Sequence, residues 1–278
     1  NSTIREYKCG LSVMKNVKTI LIKLGGSILE STENMQHICH DIKKLKDANI
    51  AVIVVHGGGK FITTCLDRLD IRSTFVDGYR VSPKQNIPTI QMAMYSINKE
   101  LSKTFSSMDV NAVGLSGEDS NLLGCDFLDK KKFDYVGKIT TVHTKIISNL
   151  LEQQLTPIIA TIGVTDDYES VNVNADDVAA KLAIACDVDN VVYLTDQEGV
   201  YDENNKIFTQ LSMAEISNLI ETKVATGGMK VKLENISELL EKTKKSITIL
   251  SGKEKGLLIK KILLRQDFGT TCVYKGNK

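Results

Sequence analysis

Two lysines that lie close to glycine pairs are the residues of this sequence that most directly suggest chemistry. Lys23 lies inside an apolar run, just ahead of a glycine pair that begins at Gly25. A lysine in such a run costs free energy unless its ammonium group reaches solvent or meets an anion. The segment 227–232 (Gly-Gly-Met-Lys-Val-Lys) places Lys230 and Lys232 at the start of a predicted helix, where the helix dipole disfavours cations. Both placements favour contact with an anionic group such as a phosphate, and they leave Lys230 and Lys232 as alternatives.

Two glycine-rich loops follow predicted strands. One is the Gly-Gly pair of residues 25–26, and the other is the His-Gly-Gly-Gly-Lys segment of residues 56–60. Glycines let backbone N–H groups approach an anion closely, and a following helix adds its positive dipole. One such loop could be only a tight turn, but two at the ends of buried strands favour phosphate binding. The GxxxxGK[ST] motif, the GxGxxG spacing and the HRD-based set of protein-kinase motifs do not occur.

Polar residues in two further segments suit the recognition of a carboxylate. Arg80 lies in the turn-like segment 78–82, and a guanidinium can hold a carboxylate through two parallel hydrogen bonds. Asn172, Asn174 and Asp176 follow a predicted short strand and open a predicted helix. Asn and Asp are common helix N-caps, but three polar residues in five positions exceed what one cap needs. Taken alone, Arg80 could equally be a solvated surface residue.

The elements that must position these residues alternate between short β-branched runs and longer amphipathic stretches. The runs predict strands over residues 19–24, 51–55, 112–115, 156–160, 170–173, 190–194 and 246–250. The amphipathic stretches predict helices over residues 35–48, 87–107, 144–153, 176–186, 213–222 and 232–242. Continuously apolar runs are typical of strands that are covered on both faces. The pattern therefore predicts an α/β fold, a three-layer αβα sandwich around an open, mostly parallel central sheet, with ligands at the carboxyl ends of the strands.

The chain is predicted to form one domain. Its 278 residues contain only 3 prolines, and no Pro/Gly/Ser-rich linker interrupts the alternating pattern. We predict an N-terminal tail over residues 1–17 and a single domain over 18–278. Within that domain we expect an N-lobe of about 18–170 and a C-lobe of about 171–278.

Composition and charge narrow the classes of function. With 35 basic and 34 acidic side chains the net charge is +1, which gives no long-range field for nucleic acid or an anionic membrane. No apolar run approaches the roughly 20 residues that a membrane-spanning helix needs, and no secretory signal is visible, so we expect a cytoplasmic location. The 6 cysteines are scattered, which favours reduced, mostly buried thiols, and 4 histidines make a His-based metal site improbable.

Six motifs occur in the order seen in the amino acid kinase family, and the chain resembles that family from about residue 18 to residue 273. The motifs are KLGGS (23–27), HGGG (56–59), GxRVS (78–82), NVNAD (172–176), TDxxGV (195–200) and TGGMxxK (226–232). NVNAD together with GGMxxK is specific, whereas KLGG alone is a weak signal. The spacing of GGMxxK selects Lys232 over Lys230.

The resemblance implies an amino acid kinase-like fold and a reaction. The γ-phosphoryl group of ATP, accompanied by Mg²⁺, would pass to the side-chain carboxylate of N-acetyl-L-glutamate, which gives an acyl phosphate for arginine biosynthesis. A carboxylate is already ionised at neutral pH, so this acceptor needs no general base. By similarity, Lys23 and Lys232 would stabilise the transferring phosphoryl group, with Asp176 between them.

The resemblance also implies the binding residues. The acceptor would be bound by Gly25, Gly26, Gly58, Gly59, Arg80 and Asn172, all but the last in the predicted N-lobe. The glycines would also bind the phosphoryl group. The nucleotide would be bound in the C-lobe by Asp196, Gln197, Glu198, Gly199, Val200, Tyr201, Val224, Ala225 and Thr226, with Asn174 either facing it or lying behind the site. Mg²⁺ is expected on the ATP phosphates and water molecules, with no metal site built from protein side chains.

Other interpretations stay open at this point. The same reaction could act on a related amino-blocked dicarboxylate of the aminoadipate type. A catalytically silent sensor of the same fold is a second alternative, although both lysines and Asp176 argue against it. A nucleotide-dependent oxidoreductase would rest on the glycines of 56–59 alone. The short segment before the first strand lacks the long helix that resembles the hexamerising arm of arginine-inhibited relatives, so we expect a homodimer without strong arginine feedback.

Overall fold

The computed structural model describes residues 17–274. Its strands are β1 (Thr19–Leu24), β2 (Ala51–His56), β3 (Thr74–Val76), β4 (Tyr79–Val81), β5 (Ala112–Ser116), β6 (Leu123–Phe127), β7 (Gly137–Val142), β8 (Thr156–Ala160), β9 (Ile162–Val164), β10 (Ser170–Asn172), β11 (Asn190–Thr195), β12 (Gln210–Ser212), β13 (Ile247–Ser251) and β14 (Thr270–Val273). Its α-helices are α1 (Thr32–Asp47), α2 (Gly59–Asp67), α3 (Ile87–Ser107), α4 (Lys130–Phe133), α5 (Lys145–Glu152), α6 (Ala175–Ala185), α7 (Met213–Glu221), α8 (Gly227–Thr243) and α9 (Leu257–Ile262). Residues 1–16 of the predicted tail and residues 275–278 of the predicted domain lie outside the described residues.

The centre of the molecule is an eight-stranded sheet in the order β12-β14-β13-β11-β1-β2-β8-β5. Its neighbouring strands are parallel except at β13 and β14, which pair antiparallel. The six strands from β13 to β5 in this order run in the same direction and share one carboxyl edge. At this edge β1 and β2 run into the two glycine loops. The predicted open, mostly parallel sheet is confirmed.

Side chains of the central strands pack on both faces of this sheet. In β1, Leu21 belongs to a hydrophobic core that includes buried residues of α6 and α8. Its neighbours Ile20 and Ile22 belong to a second core, which includes residues of α1 and α9. Burial on both faces is the reason why these strands are apolar without alternation. The three-layer αβα arrangement predicted from the sequence is therefore confirmed.

Two smaller sheets were not predicted from the sequence. A four-stranded sheet has the order β10-β9-β6-β7, and β3 pairs antiparallel with β4 to form a hairpin. Helix α8 also begins at Gly227, five residues before the predicted start at Lys232. The prediction missed this first turn because glycine has a low helix propensity. The predicted boundary between the two lobes falls inside β10 (Ser170–Asn172), and the division into lobes stays a prediction.

The described residues also bear on the cysteines and on membrane insertion. Cys39, Cys65, Cys125, Cys186 and Cys272 are free thiols, and all except Cys65 are buried. Burial raises the pKa of each of the four buried thiols to about 12, so they are protonated at neutral pH. This part of the chain thus agrees with the prediction of reduced, mostly buried cysteines, and Cys9 lies outside it.

Between residues 17 and 274 no helix is long and apolar enough to cross a membrane.

Candidate active site

Three elements bring Lys23, Asp176 and Lys232 together at the carboxyl edge of the central sheet. Lys23 is the fifth residue of β1, Asp176 lies in the first turn of α6, and Lys232 lies in the second turn of α8. Lys23 Nζ forms an ion pair with Asp176 Oδ1 at 2.7 Å. Lys232 Nζ donates a hydrogen bond to Asp176 Oδ2 at 2.9 Å. One carboxylate therefore holds two ammonium groups that are 209 positions apart in the chain (232 minus 23).

The charges in this cluster are nearly removed from solvent. The side chains of Lys23, Asp176 and Lys232 are only 10%, 10% and 11% exposed. Burial alone would raise the pKa of Asp176, but the two neighbouring ammonium groups outweigh it and hold that pKa well below its usual range. Burial lowers the pKa of Lys232, and the positive charge of Lys23 lowers it too. Two cations face one anion, so the cluster attracts a further negative group.

The glycine loops meet next to these charges. A Cβ on Gly26 would lie 3.4 Å from Gly59 N, which shows how closely the loop after β1 approaches the loop after β2. A Cβ on Gly58 would lie 2.7 Å from Met94 Sδ, so this position has no room for a side chain. The N–H of Gly25 donates a hydrogen bond to Leu194 O at 2.8 Å. The prediction that the Gly25 N–H binds a ligand therefore does not hold in this structure, because this N–H already donates its hydrogen bond to strand β11.

A cavity of about 220 Å³ opens beside the cluster and is lined by the predicted catalytic and acceptor-binding residues except Lys232 and Gly25. The predicted residues that line it are Lys23, Gly26, Gly58, Gly59, Arg80, Asn172, Asn174 and Asp176. Asn174 thus shares the cavity with Arg80, although the sequence grouped it with the nucleotide. A larger hollow of about 260 Å³, lined by Lys46, Ile50 and Leu155 among others, contains none of the predicted site residues. The smaller cavity is the candidate active site because it is the one lined by the convergent charges.

Arg80 in β4 is held at the wall of this cavity by neutral oxygen atoms. Its Nη2 donates to Gly59 O at 2.6 Å and to Thr63 Oγ1 at 2.8 Å, and its Nη1 donates to Ser73 Oγ. The guanidinium also lies 4.6 Å from the ring centroid of Phe75. Burial lowers the pKa of Arg80 to about 10, which leaves it charged at neutral pH. Among the described residues no carboxylate forms a salt bridge with it, so its charge is available to an anionic ligand.

The two asparagines of the NVNAD motif have different local partners. Asn172 Nδ2 donates to Ser82 Oγ at 3.0 Å, which connects the end of β10 to the strand segment that carries Arg80. Asn174 caps helix α6, because its side-chain oxygen accepts a hydrogen bond from Asp176 N at 2.8 Å. The cap fixes the first turn of α6 and with it the backbone of Asp176.

The segments predicted to bind the nucleotide lie at the carboxyl end of β11 and before α8. Residues 196–198 are exposed, whereas residues 199–200 are buried. The N–H of Val200 donates a hydrogen bond to Thr270 Oγ1 at 2.8 Å, which fixes this segment against β14. Residues 224–226 lead directly into α8. None of these residues lines the 220 Å³ cavity, so the two groups of predicted binding residues occupy separate places along the sheet edge.

The structure also separates the two candidate lysines of α8. Lys230 Nζ lies 3.7 Å from Glu234 Oε1, and the side chain of Lys230 is 50% exposed. Lys232 lies inside, with its Nζ 5.1 Å from the ring centroid of Tyr193. Sequence reasoning missed Tyr193, which is fully buried and lies beside Lys23 in the register of β1 and β11. Its aromatic type in an otherwise aliphatic strand was the available signal.

The fold and this site define the class of protein. The chain belongs to the amino acid kinase family, whose model matches residues 18–251. The resemblance found in the motifs is therefore confirmed.

Individual relatives are similar over nearly their full lengths. The chain is 36% identical over 258 residues to the acetylglutamate kinase of Campylobacter jejuni subsp. doylei, which covers 92% of this chain and 91% of that protein. It is 33% identical over 261 residues to the acetylglutamate kinase of a Hydrogenobaculum species, with 91% of each chain covered. Among solved structures, a protein from Streptococcus mutans UA159 matches with a TM-score of 0.80 and 25% identity, over 92% of this chain and 98% of that one. A carbamate kinase from Giardia matches with a TM-score of 0.70 and 16% identity over 94% of this chain and 100% of its own length, which shows the shared fold alone.

Proposed function

We propose that this chain is an acetylglutamate kinase. It transfers the γ-phosphoryl group of ATP to the side-chain carboxylate of N-acetyl-L-glutamate, and the product is N-acetyl-L-glutamyl 5-phosphate for arginine biosynthesis. The relatives named acetylglutamate kinase support this proposal across about nine-tenths of the chain. The observation that carries it is the pair of buried lysines on one carboxylate, at 2.7 Å and 2.9 Å, beside a cavity that also contains Arg80.

The charge arrangement suits phosphoryl transfer between two anions. The acceptor carboxylate and the ATP phosphates repel each other, so the protein must hold them in line and neutralise the charge on the transferring group. Lys23 and Lys232 supply two positive charges in a site that is shielded from water, where such charges act most strongly. Asp176 orients both ammonium groups. The acceptor is ionised at neutral pH and needs no general base.

The acceptor occupies the 220 Å³ cavity in this proposal. Arg80 binds the α-carboxylate of N-acetyl-L-glutamate, because its guanidinium is buried, charged and in no salt bridge with a described carboxylate. Asn172, which also lines the cavity, is the second group at that carboxylate. The glycines of the two loops let the side-chain carboxylate and the phosphoryl group come close to the backbone. Because the Gly25 N–H is donated to Leu194 O, Gly26 and Gly58 are the better candidates for this contact.

ATP binds along the carboxyl edge next to β11 and α8 in this proposal, at residues 196–201 and 224–226. The helix that follows the second segment carries Lys232, so a nucleotide there directs its phosphates toward the cluster. Mg²⁺ enters with ATP. In the described part of the chain no group of three or more His, Cys, Asp or Glu side chains could hold a metal ion, and both oxygens of Asp176 already have lysine partners. ATP phosphates and water molecules are therefore the expected ligands of Mg²⁺.

Two properties of the whole protein belong to the same proposal. We expect a homodimer in the cytoplasm, as the family resemblance suggests. Light scattering that gives the mass of six copies would contradict the dimer.

The test is an ATP-dependent hydroxamate assay over a panel of acylated amino acids. Hydroxylamine traps an acyl phosphate, so turnover of N-acetyl-L-glutamate must give a hydroxamate that depends on ATP. The panel includes the N-acetyl derivative of the one-carbon-longer aminoadipate and N-acetyl-L-aspartate. Faster turnover of the aminoadipate derivative would mean that the acceptor is the longer dicarboxylate. ATP binding without any trapped product would mean that the protein is a sensor and not a kinase.

A further inference from the structure

Asp177, the third residue of α6, joins the β3–β4 hairpin to helix α8. Its Oδ2 accepts a hydrogen bond from Tyr79 Oη in β4 at 3.2 Å. Its Oδ1 accepts a hydrogen bond from Asn235 Nδ2 in α8 at 2.6 Å. The same Asn235 Nδ2 also donates to Val231 O at 3.1 Å, so the amide is oriented by its own helix. One carboxylate therefore connects three elements of the fold.

The tip of the hairpin makes a second contact with α8. Asp77 and Gly78 have positive φ angles of 50° and 83°, as a tight two-residue hairpin turn requires. A Cβ on Gly78 would lie 2.8 Å from Val231 Cγ2, so the turn packs directly against the helix. This apolar contact is one residue from Tyr79 along the hairpin and one helical turn from Asn235 along α8.

These contacts connect groups that the proposed function assigns to different substrates. In the hairpin, Tyr79 is followed by Arg80, and in α8 Val231 is followed by Lys232. We propose that Asp177 is a positioning residue that holds the Arg80 hairpin against the Lys232 helix. It thereby fixes the distance between the bound acceptor and the transferring phosphoryl group, on which the rate of such a transfer depends steeply. The inference rests on the proposed function, in which Arg80 binds the acceptor.

The charge of Asp177 makes this connection sensitive to pH. Burial raises the pKa of Asp177 to about 6, and it outweighs the hydrogen bonds from Asn235 and Tyr79, which favour the ionised form. The other charged groups that face Asp177 or its partner Tyr79 are Asp176, Lys181 and Glu234. Below about pH 6 Asp177 becomes protonated and neutral, so both hydrogen bonds lose the charge of the carboxylate and become weaker.

Steady-state kinetics of five variants test this role. Tyr79→Phe and Asp177→Ala each remove a hydrogen bond of the connection, so the KM for N-acetyl-L-glutamate should rise about fivefold with a smaller change in kcat. Their effects should not add in the double variant, because both break the same contact. Asp177→Asn keeps two hydrogen-bonding atoms and resembles the protonated carboxyl, so at neutral pH its KM should lie between those of the wild type and Asp177→Ala and should not rise further below about pH 6. Tyr95→Phe is the matched control, since Tyr95 also donates to a carboxylate, that of Glu118, and does not line the cavity.

Amide hydrogen exchange tests the same connection without any substrate. Exchange of the hairpin amides over residues 74–81 should be about fivefold faster in Asp177→Ala than in the wild type, while strands β1 and β11 stay unchanged. Wild-type hairpin exchange and wild-type KM in both Asp177→Ala and Tyr79→Phe would overturn the proposal. A wild type that fails to phosphorylate N-acetyl-L-glutamate would instead refute the proposed function, and the exchange measurement would still decide whether Asp177 holds the hairpin.

Discussion

Lys23 and Lys232 are more deeply buried than the other lysines that form ion pairs in the described part of the chain. Lys60 and Lys132, for example, form ion pairs at 2.6 Å, but their side chains are 72% and 46% exposed. Exposed pairs of this kind contribute little to stability. Lys23 and Lys232 share a single buried carboxylate, an arrangement that costs desolvation energy and keeps positive charge in excess. We infer that this cost is offset by function, since an anionic substrate completes the charge balance.

Replacement of Lys232 by methionine tests that inference. Met has a similar length and no charge, so Lys232→Met should lower kcat by about 100-fold or more. The KM for N-acetyl-L-glutamate should stay close to the wild-type value, because Lys232 acts on the transferring group. Initial rates in the hydroxamate assay at saturating ATP measure both constants.

Lys230→Met is the matched control for Lys232→Met. The two positions lie in the same helix, but Lys230 is half-exposed beside Glu234. Its replacement should leave kcat within about twofold of the wild type, as expected for an exposed ion pair. Near-normal turnover in Lys232→Met, or a larger loss in Lys230→Met, would contradict the assignment of Lys232.

The residues of the candidate cluster were accessible to sequence reasoning to different degrees. The resemblance to the amino acid kinase family predicted that Lys23, Asp176 and Lys232 lie together, whereas the residue pattern by itself only marked them as separate candidates. Tyr193 and Asp177 were not found, since their roles depend on neighbours from other elements. Asp177 next to Asp176 looks like an ordinary acidic residue in the first turn of a helix until Tyr79 and Asn235 are seen beside it.

At the scale of the elements, the sequence predicted six of the eight strands of the central sheet, all except β12 and β14, but only β10 of the smaller sheets. Strands β1 and β8 match their predicted bounds because burial on both faces leaves continuous apolar runs. Strands β6 and β7 pair antiparallel, are only partly buried and contain Gly124 and Gly137, so no such run marks them. The hairpin of β3 and β4 has three residues in each strand, which is too short for a periodic signal.

The hairpin turn gives a prediction at this scale. Gly78→Ala introduces a Cβ at a φ of 83° and 2.8 Å from Val231 Cγ2. The strain and the clash should lower the free energy of unfolding by about 1–3 kcal/mol. Because the hairpin carries Arg80, its displacement should also raise the KM for N-acetyl-L-glutamate. Urea unfolding and acceptor titration kinetics measure the two effects.

Two further variants separate strain from contact. Gly256 has a φ of 82°, and no atom lies within 4 Å of the position that a Cβ would take there, so Gly256→Ala should show the strain cost with no change in KM. Val231→Ala in the Gly78→Ala background removes the clashing methyl groups and should recover part of the lost affinity. An unchanged KM in Gly78→Ala would mean that the hairpin does not need its contact with α8.

At the scale of the whole molecule, the buried His56 and the partly buried Asp177 give stability opposite dependences on pH. Burial lowers the pKa of His56 from 6.5 to about 4, so the native state stays unprotonated where the unfolded chain binds a proton. Its contribution to stability is complete above pH 6.5 and is lost as the pH falls toward 4. Burial raises the pKa of Asp177 from 3.8 to about 6, so its contribution is complete below pH 3.8 and is lost as the pH rises through 6. Each shift is worth about 3 kcal/mol, so the two largely cancel between about pH 4 and pH 6.

Removal of either titrating group should therefore reveal the pH dependence of stability that the other one causes. In His56→Gln the free energy of unfolding should decrease from about pH 4 to pH 6 more steeply than in the wild type, because the Asp177 dependence is no longer opposed. In Asp177→Asn it should increase over the same range, because the His56 dependence is no longer opposed by that of Asp177. Urea unfolding followed by circular dichroism at half-unit steps of pH measures the slopes, and the slope does not depend on any constant loss of stability from the substitution itself. Parallel profiles for the wild type and both variants would show that neither pKa shift governs the acid stability of the fold.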